Sequence, residues 1–284
     1  MVIKYRFVLR GELFECSTFN GLTQLDNYHD IVYIHCQNNN STVLPTLPNN
    51  LVHLNCEQNK LIILPILPNS LIDLWCAYNE LTALPKLPNS FKNLDCHHNK
   101  IILLPTLPNS LRYLKCSNNI LQVIPTLPNS LTVLQCHHNK IILLPTLPNS
   151  LRYLKCSNNL LSIIPTLPNS LTVLQCHYNI LTFLPMLPNS LIYLYSYNNN
   201  LTLLPVIPKG LKFINYHNNP VKTYIQDKCR DNLDIYHKEN EIFANKLVNW
   251  YLDCRENPIY KFCRTRLDRE YDALMDEDVG GIIS

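Results

Sequence analysis

One 20-residue pattern, L-x-x-L-x-C-x-x-N-x-L-x-x-L-P-x-L-P-N-S, recurs without insertion from Ile31 to about Tyr224 and constrains the chain more than any other feature. Leu51 to Ser70 shows it in full. A unit this short cannot bury its own apolar face. Identical units stack instead, and the core becomes continuous along the stack. Nine complete units end at Gly210 and a tenth begins at Leu211. Such a chain grows in one dimension, so a length of 284 residues does not imply two globular domains.

Each segment of the unit has a physical reading. L-x-x-L-x-C, as in Leu131 to Cys136, is a short strand with both leucines and the cysteine facing inward. The next unit places a parallel strand ~4.8 Å away, so ten strands span roughly 45 Å. The chain then turns at an asparagine: Asn59, Asn79, Asn99, Asn119, Asn139, Asn159, Asn179 and Asn199, with Asn39 and Asn219 at the ends. The turned backbone leaves polar groups facing the interior. A carboxamide supplies both donor and acceptor, so these side chains are expected to form a structural ladder along the stack. In the return segment, L-x-x-L-P-x-L-P, two prolines three apart fix φ, remove two donors and hold their predecessors extended. Eighteen of the twenty prolines occupy these two positions. The return is therefore expected to be extended and polyproline-like, and Asn-Ser to turn the chain into the next strand.

These residues resemble the leucine-rich repeat, L-x-x-L-x-L-x-x-N-x-L, with Cys in the third leucine position. The L-P-x-L-P return is similar to the short 20-residue class familiar from effector proteins of bacterial pathogens. The Cys form of the repeat, the Asn/Ile/Tyr/Lys-rich composition and the segment Asn257 to Arg264 also look like leucine-rich-repeat proteins of amoeba-infecting giant viruses. The resemblance covers about 195 residues. It implies a repeat solenoid whose concave parallel sheet binds other proteins.

The flanks differ. Residues 1–30 lack the proline signature, and alternation over Tyr5 to Arg10, then Gly11, then Leu13 to Cys16, suggests a β-hairpin that caps the first unit. Residues 31–220 are the solenoid. Residues 221–284 lose the repeat prolines and gain charge. Ile259, Phe262, Cys263, Leu267, Tyr271 and Leu274 form one helical stripe, behind Asn257-Pro258 as a helix start. The expectation is α+β overall, with a helical carboxy-terminal cap.

The amino terminus has no unbroken apolar core of a secretory signal, because Lys4, Arg6, Arg10 and Glu12 interrupt it, and no apolar run reaches the ~18 residues of a membrane span. Eight of the twelve cysteines, from Cys36 to Cys176, recur at one core position and do not form a disulfide framework. An intracellular, cytoplasmic location is expected, in a host cytoplasm if the chain is viral, without membrane contact and as a monomer.

Function is sought on the strand face, where positions 3 and 5 of each unit alternate with the inward residues. The candidate partner-binding set is Tyr33, His35, His53, Trp75, Asp95, Tyr113, Lys115, Tyr153, Lys155, Tyr193 and Tyr195. Aromatic anchors of this kind dominate protein-binding hot spots. No Asp or Glu occurs between Asp95 and Asp227 while nine Lys and Arg do, which favours an acidic protein segment as partner and leaves nucleic acid a disfavoured alternative. Residues 97–136 and 137–176 are one block, differing only at 120, 122 and 123 of the first copy, so repeated features within it are not independent evidence.

Chemistry finds little support. His97 and His137 are two strands apart, about 9–10 Å, too far to share one ion. No metal and no cofactor are expected. Cys229-Arg230-Asp231 matches the Cys-x-Asp nucleophile motif of related bacterial ubiquitin ligases, but too few residues follow the repeats for that catalytic domain. A non-enzymatic scaffold is expected.

Overall fold

The computed structural model describes residues 1–221. The helical cap expected over 221–284, with its apolar stripe, and the Cys229 motif lie outside these residues apart from Val221 itself.

Within them, one 12-stranded sheet runs the length of the molecule. Its strands are β1 (Ile3–Arg6), β2 (Phe14–Cys16), β3 (Tyr33–His35), β4 (His53–Asn55), β5 (Asp73–Trp75), β6 (Asn93–Asp95), β7 (Tyr113–Lys115), β8 (Val133–Gln135), β9 (Tyr153–Lys155), β10 (Val173–Gln175), β11 (Tyr193–Tyr195) and β12 (Phe213–Asn215). Strands β3 to β12 are parallel, and each pairs with the equivalent residues of the next unit, Leu54 with Leu74 and Leu74 with Leu94. This is a leucine-rich-repeat solenoid of parallel strands. A short α-helix, α1 (Phe19–Thr23), precedes the first unit and is capped by the Thr18 hydroxyl, which accepts from the Gly21 N–H. At the amino end β1 pairs antiparallel with both β2 and β3, so β2 is the outer edge. The first strand begins at Ile3 rather than Tyr5, because Ile3 and Tyr5 are the residues that reach the core.

The repeat strands β3 to β12 are only three residues long, since the inward turn begins straight after position 5. Cys56 already hands its N–H to the Trp75 carbonyl of the next unit, at 2.8 Å. Leu51, Leu54 and Cys56 from the strand segment and Leu61, Leu64 and Leu67 from the return close on one continuous core. All eight repeat cysteines are buried free thiols. Burial pushes Cys36, Cys136 and Cys176 up to about 12, so they remain protonated and pack as small apolar groups.

Each turn asparagine stitches two units. Asn119 Nδ2 donates to Cys116 O (3.1 Å) and Ser117 O (3.2 Å) in its own unit and to Cys96 O (3.0 Å) in the unit before. Its Oδ1 accepts from the Ile101 N–H of that preceding unit at 2.9 Å. The pattern runs from Asn59 to Asn219. It satisfies backbone groups that water cannot reach.

Two further ladders have no counterpart in the sequence reading. The serine that ends each unit bonds backward: Ser70 Oγ donates to Leu51 O at 2.7 Å, and Ser110, Ser130, Ser150, Ser170 and Ser190 repeat the bond. The residue before each turn asparagine, from Asn38 to Asn218, adopts a left-handed φ of 51–55°. Asparagine tolerates this conformation, but Gln58, Tyr78 and Tyr178 hold it at a cost of roughly 1–2 kcal/mol each.

The return side is extended and non-helical. Hydrogen bonds join successive units there too, as from Lys60 N to Ser41 O (2.8 Å), and Ala83–Leu103 and Val123–Leu143 form parallel bridges.

Candidate binding face

Positions 3 and 5 project from the strand face, with position 7 beside them at the turn. The amino-terminal units tie their side chains to one another. Arg6 lies over the Tyr33 ring at 5.1 Å, and Tyr33 packs near His35 and His53. His35 is partly desolvated and faces Lys4, and both effects hold its imidazole below the usual range. His53 Nδ1 sits 2.5 Å from Asp73 Oδ2, and Asn93 donates to the other Asp73 oxygen at 2.5 Å. Trp75 stacks against His53 with 6.2 Å between ring centres.

Asp95 departs from the expectation of an available acid. It is 8% exposed, accepts from His97 Nδ1 within its own unit, and accepts from Lys115 Nζ of the next unit at 3.0 Å. Burial alone would raise its carboxyl. The hydrogen bond and charge of His97, joined by Lys115, outweigh burial and hold it below the usual carboxylate range. Lys115 is correspondingly not a free cation. Asp73 is buried as well, at 6% exposed, although its alternating position marks it as outward. In both cases the reason is the same. A three-residue strand crowded by neighbours ~4.8 Å away covers a short side chain, and a covered carboxylate persists only where donors converge on it. Glu57 shares this region and its carboxyl is raised, first by burial and then by Asp95.

The carboxy-terminal units differ. Among the described residues no acid follows Asp95, and Lys155 has no ion pair. Tyr113 is met by the Gln135 amide at 3.5 Å, whereas Tyr193 is exposed, Tyr195 packs against Phe213 at 5.0 Å, and Phe213 is itself exposed. Tyr153 is half-buried; burial, then the neighbouring Tyr113 and Tyr195, raises its phenol. Beside them His177 stacks on Tyr197 at 4.3 Å, and Tyr178 meets the same ring edge-on. Tyr197 and Phe213 were not among the candidates; both continue rows that the period marks, at positions 7 and 3. His137 and His177 are pushed down to about 3 and about 4, chiefly by burial and then by Lys155, so both are neutral near pH 7.

The described residues hold no cluster of three or more metal-ligating side chains, and none of their helices is long and apolar enough to cross a membrane.

No protein-family model matches the chain, and no curated protein sequence does. Solved structures do. The chain is similar to YopM from Yersinia enterocolitica WA-314, at 34% identity and a TM-score of 0.53, over 62% of this chain and 44% of that one. It is also similar to YopM from Yersinia pestis, described as a leucine-rich effector protein, at 30% identity and a TM-score of 0.50 over 65% of each chain. The APL1B leucine-rich repeat domain matches in fold alone, at 20% identity and a TM-score of 0.56, over 72% of this chain and 66% of that one. The chain thus spans less than two thirds of either YopM structure.

Proposed function

We propose that the chain is a non-enzymatic scaffold that binds a protein through the carboxy-terminal half of its strand face. The aromatic row of Tyr153, Tyr193, Tyr195 and Phe213, in which Tyr193 and Phe213 are exposed, carries this reading. In the amino-terminal half, side chains of similar chemistry are engaged with one another, and their partners would have to be displaced before they could bind anything else. Large amphipathic rings with free faces are the groups that anchor protein interfaces. Lys155 adds one uncompensated positive charge, which suits an acidic segment on the partner. An anion-directed mode, nucleic acid included, loses ground because Asp95 neutralises Lys115 and leaves Lys155 as the one unpaired lysine at positions 3 and 5 of the described strands.

An effector-type role is supported by the likeness to YopM. A reducing cytoplasm suits the ladder of eight buried free thiols, which supports an intracellular setting. The viral likeness rests on the Cys form of the repeat, on the Asn/Ile/Tyr/Lys-rich composition and on residues 257–264, the last of which lie outside the described residues.

Affinity capture on the immobilised chain, with bound proteins identified and quantified, tests the reading. Tyr153→Ala combined with Tyr195→Ala should reduce the captured partner at least tenfold while the melting curve stays that of the parent. Capture at full strength by the double variant would place the site elsewhere.

A further inference from the structure

The return side carries a second surface that none of the strand-face reasoning uses. Position 13 of every complete unit is aliphatic or aromatic, from Val43 through Leu103 and Leu143 to Leu203, and every one of these nine residues points to solvent. Leaving aside Ala83, each is 40–66% exposed, far more open than the half-buried tyrosines of the sheet. Ile62, Ile102 and Ile142 at position 12, and Ile66, Met186 and Val206 at position 16, widen the row. Across positions 12, 13, 15 and 16 of all nine units Lys86 is the one charged residue.

The row is also regular. The parallel bridges at Ala83–Leu103 and Val123–Leu143 hold neighbouring units at strand spacing, as the sheet does on the opposite side. Val43 to Leu203 therefore makes a ridge roughly 38 Å long at ~4.8 Å per unit. Full burial of an aliphatic side chain removes roughly 60–120 Å² from water, so these half-exposed residues present on the order of 500–900 Å² of apolar surface. That exceeds the few hundred Å² a monomer ordinarily shows, and it matches the ~800 Å² per partner of a stable interface.

We infer that this ridge is the contact surface for a second copy of the chain, packed antiparallel about a two-fold axis at Val123, the middle of the nine units. A copy supplies what the surface asks for: the same pitch along its whole length, an apolar face of equal area and a single charge, Lys86, which a two-fold at Val123 sets opposite the seventh unit and not opposite its own copy. An isologous contact of this kind is self-complementary and closes at two subunits. A partner of other origin would need the same spacing by coincidence, and the ridge offers no charge pattern by which to select one. Pairing here leaves both strand faces outward, so a dimer would present two copies of the binding face and gain avidity for a multivalent partner.

Sedimentation velocity on the full chain tests this at protein concentrations of about 1 to 100 μM, alongside Leu103→Lys combined with Leu143→Lys. Both leucines are more than half exposed in the single chain, so lysine there should leave the fold intact, read as an unchanged circular-dichroism spectrum, while the melting temperature loses only its dependence on protein concentration. The parent should sediment as a dimer of twice the 33.0 kDa chain mass, and the variant as a monomer at every concentration. A parent that stays monomeric at 100 μM overturns the inference, and so does a variant that remains dimeric. A monomeric parent that floats with phosphatidylcholine vesicles, and loses this in the same variant, would assign the ridge to a lipid surface instead. Loss of dimer with unchanged partner capture separates this inference from the strand-face proposal.

Discussion

Residues 97–136 and 137–176 carry the same sequence at all but three positions, yet the two copies do different things. His97 meets Asp95, two residues before it, and Lys115 reaches the same carboxylate from the next strand. In the second copy the equivalent of Asp95 is Gln135. His137 is left with a buried Nδ1 that has no partner, and Lys155 is left without an ion pair. One residue outside the first block thus decides whether a histidine and a lysine are structural or available. In a stack where each unit touches only its neighbours, the chemistry of a repeat is set by the adjoining unit as much as by its own sequence.

The first way to probe this is to remove something both copies share. Asn119→Ala and Asn159→Ala each strip hydrogen bonds from three carbonyls and one N–H in the interior. Each should cost more than about 3 kcal/mol by chemical denaturation, and the two losses should agree within ~0.5 kcal/mol. A large disparity would mean that the copies differ in their scaffold and not only on their face.

Removing what only the first copy has should give a smaller and one-sided effect. Asp95→Asn leaves His97 and Lys115 without their counter-charge and should destabilise by about 1–3 kcal/mol above pH 5. Since the Asp95 carboxyl is depressed in the fold, the difference between parent and variant should shrink as pH falls below the ordinary carboxylate value near 4. The converse substitution, Gln135→Asp, should rebuild the network in the second copy. His137 should then titrate at least one unit above its starting value of about 3, followed by its imidazole NMR signals. No change would show that the Asp95 geometry depends on more than the residue at that position.

The histidines at position 7 after β8 and β10, one opening the second copy and one just past its end, also carry a pH signature. His137 and His177 sit near 3 and 4 in the folded chain against about 6.5 when unfolded. Below pH 6.5 the unfolded chain takes up protons that the folded chain refuses, so stability is full above that pH and falls as the solution is acidified toward pH 4. The loss is at most about 2 kcal/mol per histidine at pH 5, and His137→Gln should flatten the curve by its share.

The smallest effect concerns backbone strain. His98 and His138 both hold left-handed φ, at 51° and 53°, but His98 stacks on Tyr78 at 4.4 Å. His138→Asn should gain about 0.5 kcal/mol, and His98→Asn should gain nothing, because the lost stack offsets the relief.

Much of the scaffold could be read directly, because a fixed period places every leucine, cysteine and proline at once. The strand face was legible from alternation for the same reason. Pairing was not. The period does set Lys115 beside Asp95, both at position 5 of adjoining units, but it does not bring together His97 and Asp95, at positions 7 and 5 of one unit, and that contact joins the three into a network. The left-handed site had a partial signal, since Asn38, Asn118, Asn158, Asn198 and Asn218 occupy it in half of the units. The serine ladder had a full one, in Ser70 to Ser190. The ridge at position 13 was hidden because an apolar residue in every unit reads as core. Only the extended return shows that Leu61 and Leu64 point in while Ile63, between them, points out.

The most direct measurement of the account sets the twins against each other. Tyr113→Ala with Lys115→Ala, and Tyr153→Ala with Lys155→Ala, make the same change to the same local sequence on the same face. Quantitative capture of the strand-face partner, with melting curves in parallel, should show at least tenfold loss for the 153/155 pair with near-parent stability. The 113/115 pair should lose stability and keep the partner. Equal loss of the partner by both pairs, or loss by the 113/115 pair alone, would contradict the assignment of binding to the half of the face whose side chains the fold leaves free.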